Sequence, residues 1–232
     1  MNRRIAVFVV LAVILAALFL RLGVWQLARL QERRGRNAAV VARLREPVVA
    51  FEHLPDSSAF RRATVAGTPD YPNEIVFTGR SRNGSPGVYI LTPVRRPNND
   101  TAVVVTRGWV YAADAATADL ARWREARDTF SGYMSVLSAT PPGPKPTGRR
   151  VRTLTLAAVR ALVPYPVARA YLVAQDSASE RTPARLPMPA LDDGPHLSYA
   201  IQWFSFAIIA IVGAGIVAVR ARKQQSPGAT GA

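Results

Sequence analysis

The chain has 232 residues, no cysteine and a formal net charge of +15, which excludes a disulfide framework, a thiolate nucleophile and a zinc site built on sulfur. Lys145 and Lys223 are the only lysines among 30 basic residues. The arginines are spread along the chain rather than gathered into a stripe with interleaved aromatics, so the charge reads as attraction to an anionic bilayer and not as nucleic-acid binding.

In chain order, residues 1–4 form a short basic start with Arg3 and Arg4. Ile5 to Leu20 is an unbroken apolar run, and Leu22 to Leu27 carries it past Arg21 to roughly 23 residues, about 35 Å as a helix. No small-x-small cleavage site follows, so residues 5–27 read as an uncleaved transmembrane helix rather than a signal peptide. Arg29, Arg33, Arg34 and Arg36 crowd its far side.

Residues 28–195 read as a mainly-β domain, an antiparallel sheet or small barrel with minor helices. Ala63–Ala66, Glu74–Thr78, Val88–Thr92 and Ala102–Thr106 are short runs rich in Val, Ile, Thr and Tyr, bounded by turn residues. Arg95 to Asp100 reads as a hairpin loop. Ala113 to Arg127 is alanine-rich and could be helical. Phe130–Leu137 and Tyr171–Ala174 pattern as further strands, and Leu156–Val163, before Pro164-Tyr165-Pro166, as a short helix. Pro141–Pro146 and Arg181–Pro195 are proline-laden and read as irregular.

The second transmembrane helix, with its entry, covers residues 196–219. Tyr199 to Val219 holds no charge, and a basic tail at 220–232 follows it with Arg220, Arg222 and Lys223. The positive-inside rule puts that tail in the cytoplasm, and two spans put the N-terminus there too. The expectation is a multi-pass protein of the cytoplasmic (inner) membrane with both termini cytoplasmic. Its central domain then faces the periplasm or cell exterior, or the equivalent intermembrane compartment of an organelle.

Catalytic signatures are missing. His53 and His196 are the only histidines, and there is no nucleophile elbow, phosphate-binding loop or zinc-protease helix motif. The chain is therefore expected not to be an enzyme. Asp192 and Asp193 are adjacent and read as solvated charges beside the membrane.

More informative are the outer ends of the two spans. Arg21, Trp25 and Arg29 recur every four residues on one face of the first, with Gln26 beside it. His196, Tyr199 and Trp203 share a face of the second, with Gln202 at its edge. These residues make either an interfacial aromatic belt, with Arg21 snorkelling to headgroups, or a site. His196 is either a further interfacial residue or a ligand for iron or another transition metal.

At these residues the sequence resembles the surfeit locus protein one family of cytochrome c oxidase assembly factors. Four blocks carry the likeness: Leu22-Gly23-Val24-Trp25-Gln26-Leu27-Ala28-Arg29-Leu30; Gly84-Ser85-Pro86-Gly87-Val88-Tyr89-Ile90-Leu91-Thr92-Pro93; Val103-Val104-Val105-Thr106-Arg107-Gly108-Trp109-Val110; and His196-Leu197-Ser198-Tyr199-Ala200-Ile201-Gln202-Trp203-Phe204. The family usually has proline two residues after the arginine-glycine-tryptophan block, where this chain has Tyr111.

The resemblance implies a non-catalytic role. The partner would be cytochrome c oxidase subunit I or its assembly intermediates, and haem a would be bound transiently as a step towards its insertion. His196 would ligate the haem iron, Tyr199, Gln202, Trp203 and Trp25 would pack on the porphyrin or hydrogen-bond to it, and Arg21 and Arg29 would pair with its propionates. Gly87 and Arg107-Gly108-Trp109 would be structural, a strand end with Gly108 in a turn, or a docking surface. The alternative is a chaperone that holds an assembling membrane subunit without touching haem.

Overall fold

The computed structural model describes residues 3–139 and 145–224. Of the stretches read above, positions 1–2, 141–144 and 225–232 lie outside the described residues. The chain divides into two compact units, Met1–Ala39 with Ala190–Ala232, and Val40–Pro189. Its helices are α1 (Arg3–Arg45), α2 (Leu156–Arg160) and α3 (His196–Gln224).

α1 and α3 are each long and apolar enough to cross a membrane. α1 continues as helix well past Leu27, because the stretch after it is built mainly from Ala, Leu, Arg, Gln and Glu, good helix formers that outweigh Gly35, Asn37, Val40 and Val41. It stops at Arg45, and Pro47 follows, where the missing N–H and the crowding of the preceding residue end a helix. Side chains of α1 and α3 meet in reverse order, Phe19 with Trp203 and Gln26 with His196, so the two run antiparallel.

The second unit is organised by one mixed sheet. Its strands are β1 (Val49–Ala50), β2 (Arg62–Ala66), β3 (Thr68–Pro69), β4 (Ile75–Arg82), β5 (Ser85–Arg95), β6 (Val103–Tyr111), β7 (Thr129–Val136), β8 (Arg150–Val151) and β9 (Ala170–Ala174). Their order is β1-β2-β7-β9-β6-β5-β4-β8, with β3 paired to β5. The sheet is not wholly antiparallel as expected: β1 with β2, β6 with β9 and β4 with β8 are parallel pairs. Each parallel partner is reached through a long connection rather than a tight turn, which is what parallel pairing requires.

The longest strands meet where local chemistry is plainest. Asn83-Gly84 joins β4 to β5, and both residues have positive φ, 50° and 80°, as a two-residue hairpin turn of the primed kind demands. β5 and β6 are buried along most of their length on both faces, which explains their near-continuous apolar runs. Val65, Val103, Val105, Phe130, Met134 and Leu172 anchor one core cluster. Ile75, Leu91, Val104, Leu137 and Val159 anchor another, under α2. Thr155 caps α2, its Oγ1 accepting the Ala158 N–H at 3.1 Å. The helix ends at Arg160, short of the expected Val163.

The helix expected at Ala113–Arg127 does not form; a single 3-10 turn at Ala121–Trp123 is all that appears there. Asp114 Oδ1 accepts from the N–H groups of Ala116 and Thr117, both at 2.9 Å, and Asp119 Oδ1 from that of Ala121 at 3.1 Å. These local side-chain bonds give the backbone an alternative to the helix. Leu120 and Trp123 instead pack onto the Val76, Val88, Ile90 and Val110 cluster.

Candidate functional site

In the first unit the helix seam is built from small residues. Ala12, Ala16, Gly23, Gln26 and Leu30 are the buried positions of α1, and with Phe19 they step by four and three, the repeat of a coiled-coil seam. On α3 the buried Ala200, Ala207, Ala214 and Ala221 step by seven. Small side chains let the backbones approach closely. A Cβ on Gly23 would lie 2.5 Å from the Phe204 ring.

Gln26 is the one strongly polar residue of the α1 seam, 9% exposed. Its Oε1 is 2.9 Å from Nδ1 of His196, the first residue of α3. With the imidazole neutral, an acceptor at that distance selects the tautomer in which Nδ1 carries the proton, leaving the lone pair on Nε2. An aromatic stack follows below: Trp203 lies on Phe19 with centroids 5.7 Å apart and meets Phe206 edge-on at 5.9 Å.

Just before His196, a polar clasp joins the two segments. Arg33 donates to the Asp192 carbonyl at 2.8 Å and to Asp192 Oδ1 at 2.5 Å, Asn37 donates to the same carbonyl at 2.9 Å, and Arg34 to Asp193 Oδ2 at 2.8 Å. The two aspartates read as solvated charges are therefore paired, although they remain partly exposed.

Trp203 lies in the seam, stacked on Phe19; the other expected site residues stand outside it. Tyr199 and Gln202 are exposed on α3, Tyr199 by 47%. Trp25 is 53% exposed, and Arg21 is exposed as well, about 140° round the helix from Gln26. Arg29 pairs with Glu32 on its own helix. His53 is exposed as the last residue of a short 3-10 turn.

In the second unit, Arg107-Gly108-Trp109 lies inside β6, not at a strand end. Ile90 opposes Gly108 and Leu91 opposes Thr106, so Arg107 is the extra residue of a β-bulge. Its side chain is fully buried and is no docking surface. Arg107 Nη2 reaches Glu74 Oε1 at 2.5 Å, Nε donates to Thr92 Oγ1 at 2.7 Å, and Nη1 lies 3.2 Å from Glu125 Oε1 and also bonds the Trp123 carbonyl.

Glu125 Oε2 in turn accepts from Arg185 at 2.9 Å and Arg127 at 3.1 Å, and both arginines also reach Asp176. Burial pushes the Glu125 carboxyl up, but the Arg185 hydrogen bond and the charges of Arg185, Arg107 and Arg127 outweigh it and hold the group below the ordinary carboxylate value. Burial pulls the Arg185 guanidinium down, and the hydrogen bond and charge of Glu125, with help from Asp176, more than restore it.

Gly87 and Trp109 also meet. A Cβ on Gly87 would lie 2.3 Å from Trp109 Nε1. The four sequence blocks thus form two contacts, the first and last across the helix seam and the middle two across β5 and β6. Glu74, Glu125 and Arg185 had no signal in the sequence, because their partner Arg107 lies between 18 and 78 residues away. Gln26 had one: it interrupts a four-three repeat of small and apolar residues that a partner helix must read.

The sequence matches the SURF1 family over residues 13–208. A SURF1-like protein of Rickettsia felis is 24% identical over 210 residues, covering 84% of this chain and 89% of its own. An uncharacterized SURF1-like protein of Mycobacterium tuberculosis is 29% identical over 230 residues, 90% of this chain and 82% of that one. A SURF1-like protein of Monosiga brevicollis is 26% identical over 215 residues, 82% and 79%.

Proposed function

The chain belongs to the SURF1 family, and from that premise we propose that it is a membrane-anchored, non-catalytic assembly factor for cytochrome c oxidase. In this reading it holds haem a on His196 and passes it towards subunit I of the oxidase. Both termini are cytoplasmic and the central domain is extracytoplasmic, with Arg220, Arg222 and Lys223 as the retaining charge.

The observation that carries the reading is the hydrogen bond between His196 Nδ1 and Gln26 Oε1 at 2.9 Å. Imidazoles that ligate metals almost always donate their other ring N–H to an acceptor, which fixes tautomer and orientation. The donor set fits an iron porphyrin: one half-buried imidazole whose Nδ1 is engaged by Gln26, leaving Nε2 as the ligating nitrogen, with an apolar aromatic pair, Trp203 and Phe19, two turns further along the seam. A bound haem iron would supply a centre that accepts a ring nitrogen.

His196 would be that nitrogen's source, and Gln26 would keep the ring aimed. Trp203 and Phe19 would offer apolar surface to a macrocycle. Arg33 and Arg34, held by Asp192 and Asp193, would fix the chain entering α3 so that His196 begins the helix at a set place. A single imidazole suits a factor that must release its haem again.

Changing His196 to Ala in the full-length, detergent-purified protein is the test. The variant should reach the membrane at normal levels, since the apolar span is untouched, but copurify with little haem and support oxidase maturation poorly. His53→Ala should behave as wild type. A full haem complement with an unaltered spectrum in His196→Ala would put the haem-free chaperone ahead.

A further inference from the structure

Gln26 is buried in the seam of two membrane-length helices, and its side-chain oxygen meets one ring nitrogen of the histidine that opens the other helix. A buried amide in such a place is costly unless its hydrogen bonds are made. Replacing it by a seam-type Ala or Leu would satisfy packing alone, as Ala16 and Leu30 do elsewhere on the seam. What Gln26 adds is an acceptor at a fixed height, two turns before Arg33, which holds the clasp on Asp192.

We propose that Gln26 is the positioning residue of the His196 site: by accepting the Nδ1–H hydrogen bond it locks the imidazole in the Nδ1–H tautomer and presents the Nε2 lone pair as the ligating atom. The ligand clause rests on the haem reading above; the tautomer clause does not. Gln26 touches no ligand itself. Its rigidity comes from the helix packing, with Gly23 against Phe204 one turn away holding the backbones close. An exposed histidine such as His53 has no such partner among the described residues.

The test uses the full chain in detergent micelles, labelled with 15N-histidine. Two histidines in the sequence make the spectrum simple, and His53→Gln assigns it. At alkaline pH, nitrogen shifts and couplings should show His196 in wild type as the Nδ1–H tautomer without any haem present. Gln26→Met keeps similar volume but removes the amide acceptor and should move His196 towards the Nε2–H form that an unconstrained imidazole prefers. Gln26→Glu keeps an acceptor oxygen and should retain the wild-type tautomer.

Titrated with haem a, Gln26→Met should bind about tenfold to 100-fold more weakly, the usual cost of losing such an outer partner. Its axial-ligand absorption bands should change, while Gln26→Glu recovers both. An unchanged His196 tautomer in Gln26→Met overturns the proposal, as does undiminished haem affinity in that variant. If wild type binds no haem a while the tautomer still follows residue 26, the positioning role stands and the haem reading alone fails.

Discussion

Gly108 acts through its backbone. Its φ of 151° is one that L side chains rarely adopt, and a Cβ there would stand 2.5 Å from the Ala184 carbonyl oxygen. That closeness follows from main-chain pairing, since Trp109 and Ala184 exchange hydrogen bonds of 2.8 and 2.9 Å. Gly108→Val should therefore lower the stability of the full-length protein by about 1–3 kcal/mol, through strain and a displaced 183–185 segment. Thermal unfolding of the detergent-purified variant measures it, and an unchanged midpoint would mean that the segment yields freely.

Among elements, the charged cluster around Arg107 ties three pieces of chain together: strand β6, the non-helical segment at 113–127 and the segment carrying Asp176 and Arg185. Arg107 with Glu74 is too buried to stand unpaired. Glu125 is the common member. Its folded pKa lies below the ordinary value of 4.5, so its pairing stabilises the fold fully above that value. The contribution is lost as pH falls through the depressed folded pKa, where both states become protonated. Unfolding midpoints followed from pH 7 downwards should decline on the acid side. Glu125→Gln should be less stable than wild type at pH 7 and show a shallower acid decline. Parallel curves for the two proteins would remove Glu125 from that role.

At the scale of the whole molecule, two membrane-length helices of opposite direction frame one mixed-sheet domain in sequence. The proposed topology predicts that reporters fused at residue 100 and at residue 232 give signals from opposite compartments. Matching signals would sink it. The helices themselves were plain in the sequence, since an apolar run of membrane length is a one-dimensional property. The long strands were nearly as plain: β5 and β6 lie in the middle of a sheet, and burial on both faces leaves continuous Val, Ile and Leu. The two-residue strands β1, β3 and β8 were not legible, because their pairing is supplied by distant neighbours and not by their own pattern. The order of the sheet, its parallel pairs and the loss of the alanine-rich helix to Asp114 and Asp119 also needed the folded chain. The sequence by itself determined that His196 opens a span and that arginine, glycine and tryptophan stand together at 107–109. Only the tertiary structure decided that Gln26, not Trp25 or Arg21, is the partner of His196, and that Arg107 is buried against Glu74 and Glu125. The physical reason is the same in both cases: a hydrogen bond or ion pair between residues far apart in the chain depends on packing in three dimensions, which local periodicity does not encode.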